Sequence, residues 1–155
     1  MFSWEVEDYK ILDNDISFNP DYFFDINTPL DDSVPKDADI IFCLELAEYI
    51  WDPVQFHKNI YNLLNTDGIA YISYPTIYPL HNPEGIDSLR YSKNAIAKLL
   101  SYSGFKNWEV TPRLATAGIS NLGDFYKLEG MHPIKGDEAI YHIGYLVKAI
   151  KNGYM

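Results

Sequence analysis

The chain has 155 residues, 47% of them hydrophobic, a size and composition typical of one globular domain, and we expect residues 1–155 to form a single domain. Twelve Lys and Arg against twenty-two Asp and Glu give a formal net charge of -10, which disfavours non-specific binding to nucleic acid or to an anionic membrane. The one cysteine, Cys43, excludes a disulfide within the chain, and no segment has the pattern of a signal peptide or the length of a membrane span. We therefore expect a cytoplasmic protein.

The first third of the chain predicts two short strands followed by a longer, buried one. Residues 8–12 and 21–26 are apolar and aromatic stretches separated by the turn-forming segment 17–20. Residues 39–44 are almost entirely apolar, which is typical of a strand buried on both faces of a parallel sheet. Acidic and polar residues follow this run, and open α/β sheets bind their ligands at this end of the strands. The segment after residue 44 is therefore a candidate site.

A helix is predicted directly after this strand. Asp52 is a favoured N-cap residue, and Pro53 suits the first helical position. His57 lies beside the apolar stripe of this helix, and we expect it on the surface. The stripe has helical spacing and consists of Phe56, Ile60, Leu63 and Leu64.

The second half of the chain alternates strands and helices. Residues 69–74 predict a strand that Pro75 ends, and a polar loop of the length typical of functional loops follows it. Ser92 caps a second predicted helix. Residues 108–111 can form another strand, and residues 140–150 alternate enough to form a final one. The predicted order is βαβαβ with a closing strand.

Several short motifs follow one another in a fixed order. The first is Asp39-Ile-Ile-Phe-Cys-Leu-Glu45, continued by Leu46-Ala-Glu48-Tyr49-Ile-Trp-Asp52-Pro53. The others are Leu63-Leu64-Asn-Thr-Asp67-Gly68, Ile69 to Pro75, His81-Asn-Pro83, Arg90-Tyr91-Ser92 and Ser103-Gly104-Phe105. No single motif is specific, but the ordered set, over roughly Asp15 to Pro112, resembles the class I S-adenosylmethionine-dependent methyltransferases.

This resemblance implies an α/β, Rossmann-like methyltransferase fold with a mostly parallel sheet, an antiparallel closing strand and a reduced N-terminus. It implies S-adenosylmethionine as the cofactor and methyl transfer to a small-molecule acceptor, but it does not identify that acceptor. Tyr49 stands where the family often has histidine, and so removes a group that titrates near neutral pH.

The main departure from the family lies at the front of the chain. A complete methyltransferase begins with a central strand, a glycine-rich turn and a helix, whereas this chain has no glycine before Gly68. Residues 10–13 are then either a reduced first strand or the second strand, with the first strand missing. The second alternative is favoured, since the segment that follows resembles family members with a very short second crossover.

On that alignment the resemblance also assigns cofactor-binding residues. Asp15, or Asp13 two positions earlier, would accept hydrogen bonds from the ribose hydroxyls, and Asp25 with the Ile26 amide would lie at the adenine edge. The alternative for each aspartate is that it initiates a turn at the end of a strand, which is common.

Glu45, with Leu44 beside it, would lie at the methionine end of the cofactor. The alternative for Glu45 is a solvated loop carboxylate near the start of a helix.

His81 is the candidate catalytic residue. It lies in the long loop after a sheet strand, where a neutral imidazole can remove a proton from a substrate hydroxyl. Alternatively, it braces the loop by hydrogen bonding to the backbone. His132 and His142 lack metal-ligand spacing to any partner, so no metal site is predicted.

Three functions fit these observations. The first is a small methyltransferase, and the second is a non-catalytic binding or regulatory module of the same fold, or one half of a split enzyme. The third is a scaffold without a ligand, for which nothing in the sequence argues positively. Because a sheet without its central strand has unpaired backbone edges, we expect a homo-oligomer or a partner chain that completes the sheet.

Overall fold

The computed structural model of the protein describes residues 6–77, 86–114 and 142–152. These ranges contain two α-helices and two short 3-10 helices, and none has both the length and the apolar character needed to cross a membrane. The α-helices are α1 (Pro53–Leu63) and α2 (Lys93–Tyr102), and the strands are β1 (Leu12–Asp13), β2 (Tyr22–Phe23), β3 (Ala38–Cys43), β4 (Leu64–Pro75), β5 (Asn107–Leu114) and β6 (His142–Ile150).

A four-stranded sheet with the order β3-β4-β6-β5 forms the centre of the described structure. Strands β3 and β4 are parallel, with Ile40 opposite Ile69, and α1 connects them. Strand β6 is antiparallel to both of its neighbours, β4 and β5. Three strands thus run in one direction and β6 runs in the other, which confirms the predicted α/β sheet with an antiparallel closing strand.

Strands β1 and β2 form a separate parallel pair, with Leu12 opposite Tyr22 and Asp13 opposite Phe23. Residues 10–13 therefore do not supply a central strand beside β3. Of the two alternatives left open by the sequence, this pairing agrees with the one in which residues 10–13 are the second strand of the fold.

Helix α1 begins where the sequence predicts. The carboxylate of Asp52 accepts a hydrogen bond from the Gln55 amide at 2.9 Å, and Pro53 occupies the first turn. The predicted apolar stripe is buried. The prediction for His57 is wrong, because its side chain is 0% exposed. Burial is tolerated since both ring nitrogens have partners, the Pro53 carbonyl and the Tyr74 hydroxyl.

Helix α2 also has the predicted cap. The Ser92 hydroxyl accepts a hydrogen bond from the Ala95 amide at 3.2 Å, and Ile96 and Leu100 are buried. After the helix, Gly104 has a φ of 108°, a conformation that side chains disfavour. The chain can therefore reverse there and bury Phe105, whose ring packs edge-on against Tyr61.

The two faces of the four-stranded sheet differ in their environment. The register aligns Cys43, Ile72, Val147 and Val110 across the four strands, and the first three are buried in the core. The adjacent row is Phe42, Tyr71, Lys148 and Glu109. Phe42 in this second row is 63% exposed although its ring stacks on Tyr71 at 5.4 Å between centroids.

Candidate cofactor site

Glu45 lies just past the carboxyl end of β3, and its backbone has an unusual conformation. Its φ is 52°, in the left-handed region that a non-glycine residue adopts at a cost of order 1 kcal/mol. Its backbone amide donates to the Ser73 hydroxyl at 2.7 Å, and that hydroxyl donates to Oε1 of Glu45 at 3.1 Å. Because Ser73 is on β4 and nearly buried, both the backbone and the carboxylate of Glu45 are fixed to the neighbouring strand.

Arg113 forms an ion pair with the same oxygen, Oε1 of Glu45. Arg113 is on β5, which is the far strand of the sheet, so its guanidinium reaches the end of β3 across β6 and β4. Gly144, its register partner on β6, has no side chain in this path. The two charged side chains remain 33% and 40% exposed, so solvent weakens their attraction.

The segment that follows the long loop after β4 is fixed to the same end of β3 as Glu45. The backbone amides of Ser88 and Leu89 donate to the Glu48 carbonyl, and the Tyr91 hydroxyl donates to the Ala47 carbonyl at 2.8 Å. Arg90 forms a forked pair with both carboxylate oxygens of Asp87. The chain therefore returns from the long loop directly beside the turn that follows Glu45.

The aspartates predicted to bind the adenosine part lie in turns. The Oδ1 atom of Asp25 accepts hydrogen bonds from the Asn27 backbone and side-chain amides, both at 2.9 Å. The Asn27 side-chain oxygen in turn accepts from the Trp51 and Asp52 amides, at 3.1 and 3.2 Å. This bridge fixes the Asp25 and Ile26 turn to the loop that follows β3.

Buried Asn59 of α1 supports this turn from below. Its side-chain amide donates to the Ile26 carbonyl at 2.8 Å and to the Thr28 carbonyl at 2.7 Å. Its side chain is 1% exposed. Asn59 therefore positions the turn without being accessible to a ligand.

Asp13 and Asp15 are adjacent to the Asp25 turn. The Asp13 carbonyl accepts from the Phe24 amide, its carboxylate accepts from the Asp15 amide, and the Asp15 carboxylate accepts from the Ser17 amide. Hydrogen bonding from the side chain of Ser17, and secondly from its backbone amide, lowers the pKa of Asp15. In all three aspartates, Oδ1 accepts a hydrogen bond within a turn, which is the role that the sequence offered as the alternative to cofactor binding. Among the described residues, none donates a hydrogen bond to Oδ2 of Asp25.

The structure thus brings most of the predicted site residues to one end of the fold. Leu44, which is 54% exposed, and Glu45 follow β3, while Asp25 and Ile26 are joined through Asn27 to the end of the same loop. His81 lies outside the described residues, and its catalytic role stays a prediction. The ranges that the structure describes contain no group of three or more His, Cys, Asp or Glu arranged to hold a metal ion.

Burial and negative charge dominate the electrostatics of this end of the fold. Burial, helped by the charges of Glu48, Asp87 and Glu45, raises the pKa of Tyr49. Burial also raises the pKa of Tyr91, again with help from Glu48. The phenols therefore stay neutral near pH 7.

Cys43, at the end of β3, is buried, and this burial raises the pKa of its thiol to about 12. It is an inert core side chain.

Comparison with solved structures decides the fold. Phosphoethanolamine N-methyltransferase 2 of Haemonchus contortus, in complex with phosphomonomethylethanolamine and S-adenosylhomocysteine, superposes with a TM-score of 0.52 at 13% identity, over 77% of this chain and 35% of that one. The chain has the class I methyltransferase fold. This confirms the resemblance deduced from the ordered motifs.

Two further structures agree with this assignment. A methyltransferase of Thermotoga maritima gives a TM-score of 0.52 at 17% identity, over 76% of this chain and 58% of that one. The third structure is a chain from the Haloferax volcanii complex between the methyltransferase activator Trm112 and a methyltransferase. It superposes with a TM-score of 0.53 at 16% identity, over 79% of this chain and 58% of that one. No protein-family model and no curated protein sequence matches the chain. The methyltransferase-fold chain spans less than two thirds of the length of these three neighbours.

Proposed function

We propose that this methyltransferase-fold chain binds S-adenosylmethionine at the carboxyl ends of β3 and β4 and transfers its methyl group to a small acceptor. The observation that carries the proposal is Glu45, held in a left-handed conformation by Ser73 and Arg113 at the end of β3. Backbone strain of this kind, maintained by several contacts, is typical of functional sites. The fold is shared with proteins solved with S-adenosylmethionine or S-adenosylhomocysteine.

The residues present suit such a cofactor. S-adenosylmethionine carries a sulfonium and an ammonium group, and both are stabilised by nearby carboxylates. Only Oε1 of Glu45 is engaged by the Ser73 hydroxyl and by Arg113, so Oε2 can accept from the ammonium group. In the same way, Oδ2 of Asp25 can accept from the adenosine part, with the Ile26 amide beside it.

When bound, the cofactor supplies an electrophilic methyl group, so the protein has to orient the reactants and exclude water rather than provide strong chemical catalysis. We assign Glu45 to orient the methionine end and Asp25, with Asp13 or Asp15, to orient the nucleoside. His81 is proposed as the base that takes the proton of the acceptor, on the evidence of its place in the sequence.

Isothermal titration calorimetry with S-adenosylhomocysteine tests the binding part of the proposal. We expect saturable binding by the wild-type chain and binding at least about tenfold weaker for Glu45→Gln, which keeps the side-chain shape and removes its charge. The matched control is Glu109→Gln, on an exposed strand position. Absence of binding at millimolar ligand contradicts the proposal, and so does an equal loss in both variants.

A non-catalytic or partner-dependent module is the second candidate function. It is favoured by the turn bonds that occupy Oδ1 of Asp13, Asp15 and Asp25. One of the structural neighbours was solved as a complex with a methyltransferase activator.

Labelled methyl transfer from S-adenosylmethionine to a panel of small amines, phenols and carboxylic acids separates the two candidates. Transfer that His81→Gln slows by roughly a hundredfold, without loss of S-adenosylhomocysteine affinity, supports the enzyme. Binding of S-adenosylhomocysteine without transfer to any acceptor in the panel supports the module.

A further inference from the structure

Strand β3 is an edge strand in the part of the chain that the structure describes. Its single neighbour there is β4, and the separate β1–β2 pair is not hydrogen-bonded to it. Half of the backbone amides and carbonyls of an edge strand point away from its sheet and can pair with another strand. In soluble proteins, such edges are usually blunted by charged side chains, proline or a bulge, or are covered by another element.

The start of β3 has two such features, the charged Asp39 and a register irregularity between Ala38 and Ile40, whereas the end of the strand exposes apolar side chains. Phe42 is 63% exposed and Leu44 is 54% exposed. The ring of Phe42 stacks on Tyr71 of the neighbouring strand, and Leu44 follows the last residue of β3 directly. An added strand beside β3 would gain backbone hydrogen bonds from the edge and apolar contacts from Phe42 and Leu44.

The charge at the start of β3 indicates which kind of partner strand can pair with this edge. Asp37 and Asp39 are exposed, and none of the ion pairs found among the described residues involves either of them. A second copy of this chain would bring a further net charge of -10 to the same edge. A basic partner would instead form ion pairs with Asp37 and Asp39.

We propose that β3 is the docking edge for an extended segment of a basic partner polypeptide. The segment adds to the sheet as a strand, packs apolar side chains on Phe42 and Leu44, and places lysine or arginine against Asp37 and Asp39. This interaction does not depend on methyl transfer, and Leu44 is the residue that the docking edge shares with the proposed cofactor site.

Fluorescence anisotropy with synthetic peptides tests this proposal on the full chain. The probe is a labelled peptide in which valine and threonine alternate between paired lysines at each end. One control peptide has glutamates in place of the lysines, and the other has prolines in place of the valines and cannot form a strand. We expect saturable binding of the lysine peptide and at least about tenfold weaker binding of both controls.

Variants of the chain locate the binding surface. Phe42→Ser is expected to weaken binding of the lysine peptide at least about tenfold, whereas Tyr102→Ser, a matched change at an aromatic side chain that is 70% exposed on α2, leaves it unchanged. The double variant Asp37→Lys with Asp39→Lys is expected to reverse the preference, so that the glutamate peptide binds more tightly. Because these positions are exposed, the far-ultraviolet circular dichroism of each variant should match that of the wild type.

The results of these binding experiments either support the docking proposal or overturn it. Lysine-peptide binding that depends on Phe42 and changes its charge preference in the double variant supports the proposal. Absence of peptide binding overturns it, as does equal weakening by Tyr102→Ser. Light scattering that shows a dimer which Phe42→Ser dissociates also overturns it, because a second copy would then be the occupant of the edge.

Discussion

Tyr74 donates its hydroxyl hydrogen to Nε2 of His57 over 2.7 Å, and both side chains are fully buried. The other ring nitrogen of His57, Nδ1, must carry a hydrogen, because it donates to the Pro53 carbonyl at 2.5 Å. The ring is therefore a neutral bridge between α1 and β4. Burial lowers the pKa of His57 from 6.5 to about 4, although the Pro53 carbonyl acts in the opposite direction.

This bridge predicts a loss of stability in mild acid. The pKa of His57 is lower in the folded chain than in the unfolded one, so between pH 6.5 and about pH 4 the unfolded chain binds a proton that the folded chain lacks. The contribution of His57 to stability is complete above pH 6.5 and is lost as the pH falls towards 4. Urea unfolding should show a loss of about 2 kcal/mol between about pH 8 and pH 5.

The control variant is His57→Gln, which can keep a donor and an acceptor but does not titrate in this range. We expect it to be less stable than the wild type at about pH 8 and to lose much less stability on acidification. If the wild type and His57→Gln respond equally to pH, other groups cause the acid sensitivity.

His57 also shows that sequence patterns do not predict whether a polar side chain is buried. Asp52, Pro53 and the spacing of the apolar stripe correctly predicted the start of α1 and its buried face, since these signals are local. The burial of His57 depends on a tyrosine of β4 that comes within reach only in the folded sheet. A polar residue beside an apolar stripe therefore cannot be assigned to the surface from spacing alone.

Asn59 offers a second test, of the turn that carries Asp25. Asn59→Ala leaves the Ile26 and Thr28 carbonyls without this donor, one of them deeply buried. We expect a loss of about 2 kcal/mol in the free energy of unfolding, measured in urea. Asn62→Ala, an exposed position on the same helix, is the control and should change it by less than about 0.5 kcal/mol. Equal effects in the two variants would contradict a supporting role for Asn59.

The candidate site was predictable in part. The resemblance to the methyltransferases suggested Leu44, Glu45 and Asp25, and their role in cofactor binding stays a prediction. The contacts that fix Glu45 were not predictable, since Ser73 and Arg113 reach it through a strand order in which β6 inserts between β4 and β5. Asn27 carried a weak signal, because an asparagine two residues after an aspartate is typical of a turn.

Asp25 permits a test of the nucleoside end of the proposed site. Asp25→Asn keeps an oxygen that can accept from the Asn27 amide but removes the charge on the other oxygen. Calorimetry should show about tenfold weaker binding of S-adenosylhomocysteine. Asp31→Asn is the matched control, because the Asp31 carboxylate accepts from the Ser33 amide in the same kind of turn. Unchanged affinity in Asp25→Asn would limit Asp25 to its role in the turn.

Substitutions of Arg113 and of Glu45 are expected to change the affinity for the ligand in opposite directions. Arg113→Met removes the ion pair and leaves Glu45 fixed by Ser73, so the carboxylate is free to attract the ammonium group of the ligand. We expect S-adenosylhomocysteine to bind a few-fold more tightly to Arg113→Met and more weakly to Glu45→Gln. The stability should change by less than about 1 kcal/mol in both, because the pair is partly exposed. The double variant, Arg113→Met with Glu45→Gln, should bind like Glu45→Gln alone. Weaker binding by Arg113→Met would instead show that the arginine itself contacts the ligand.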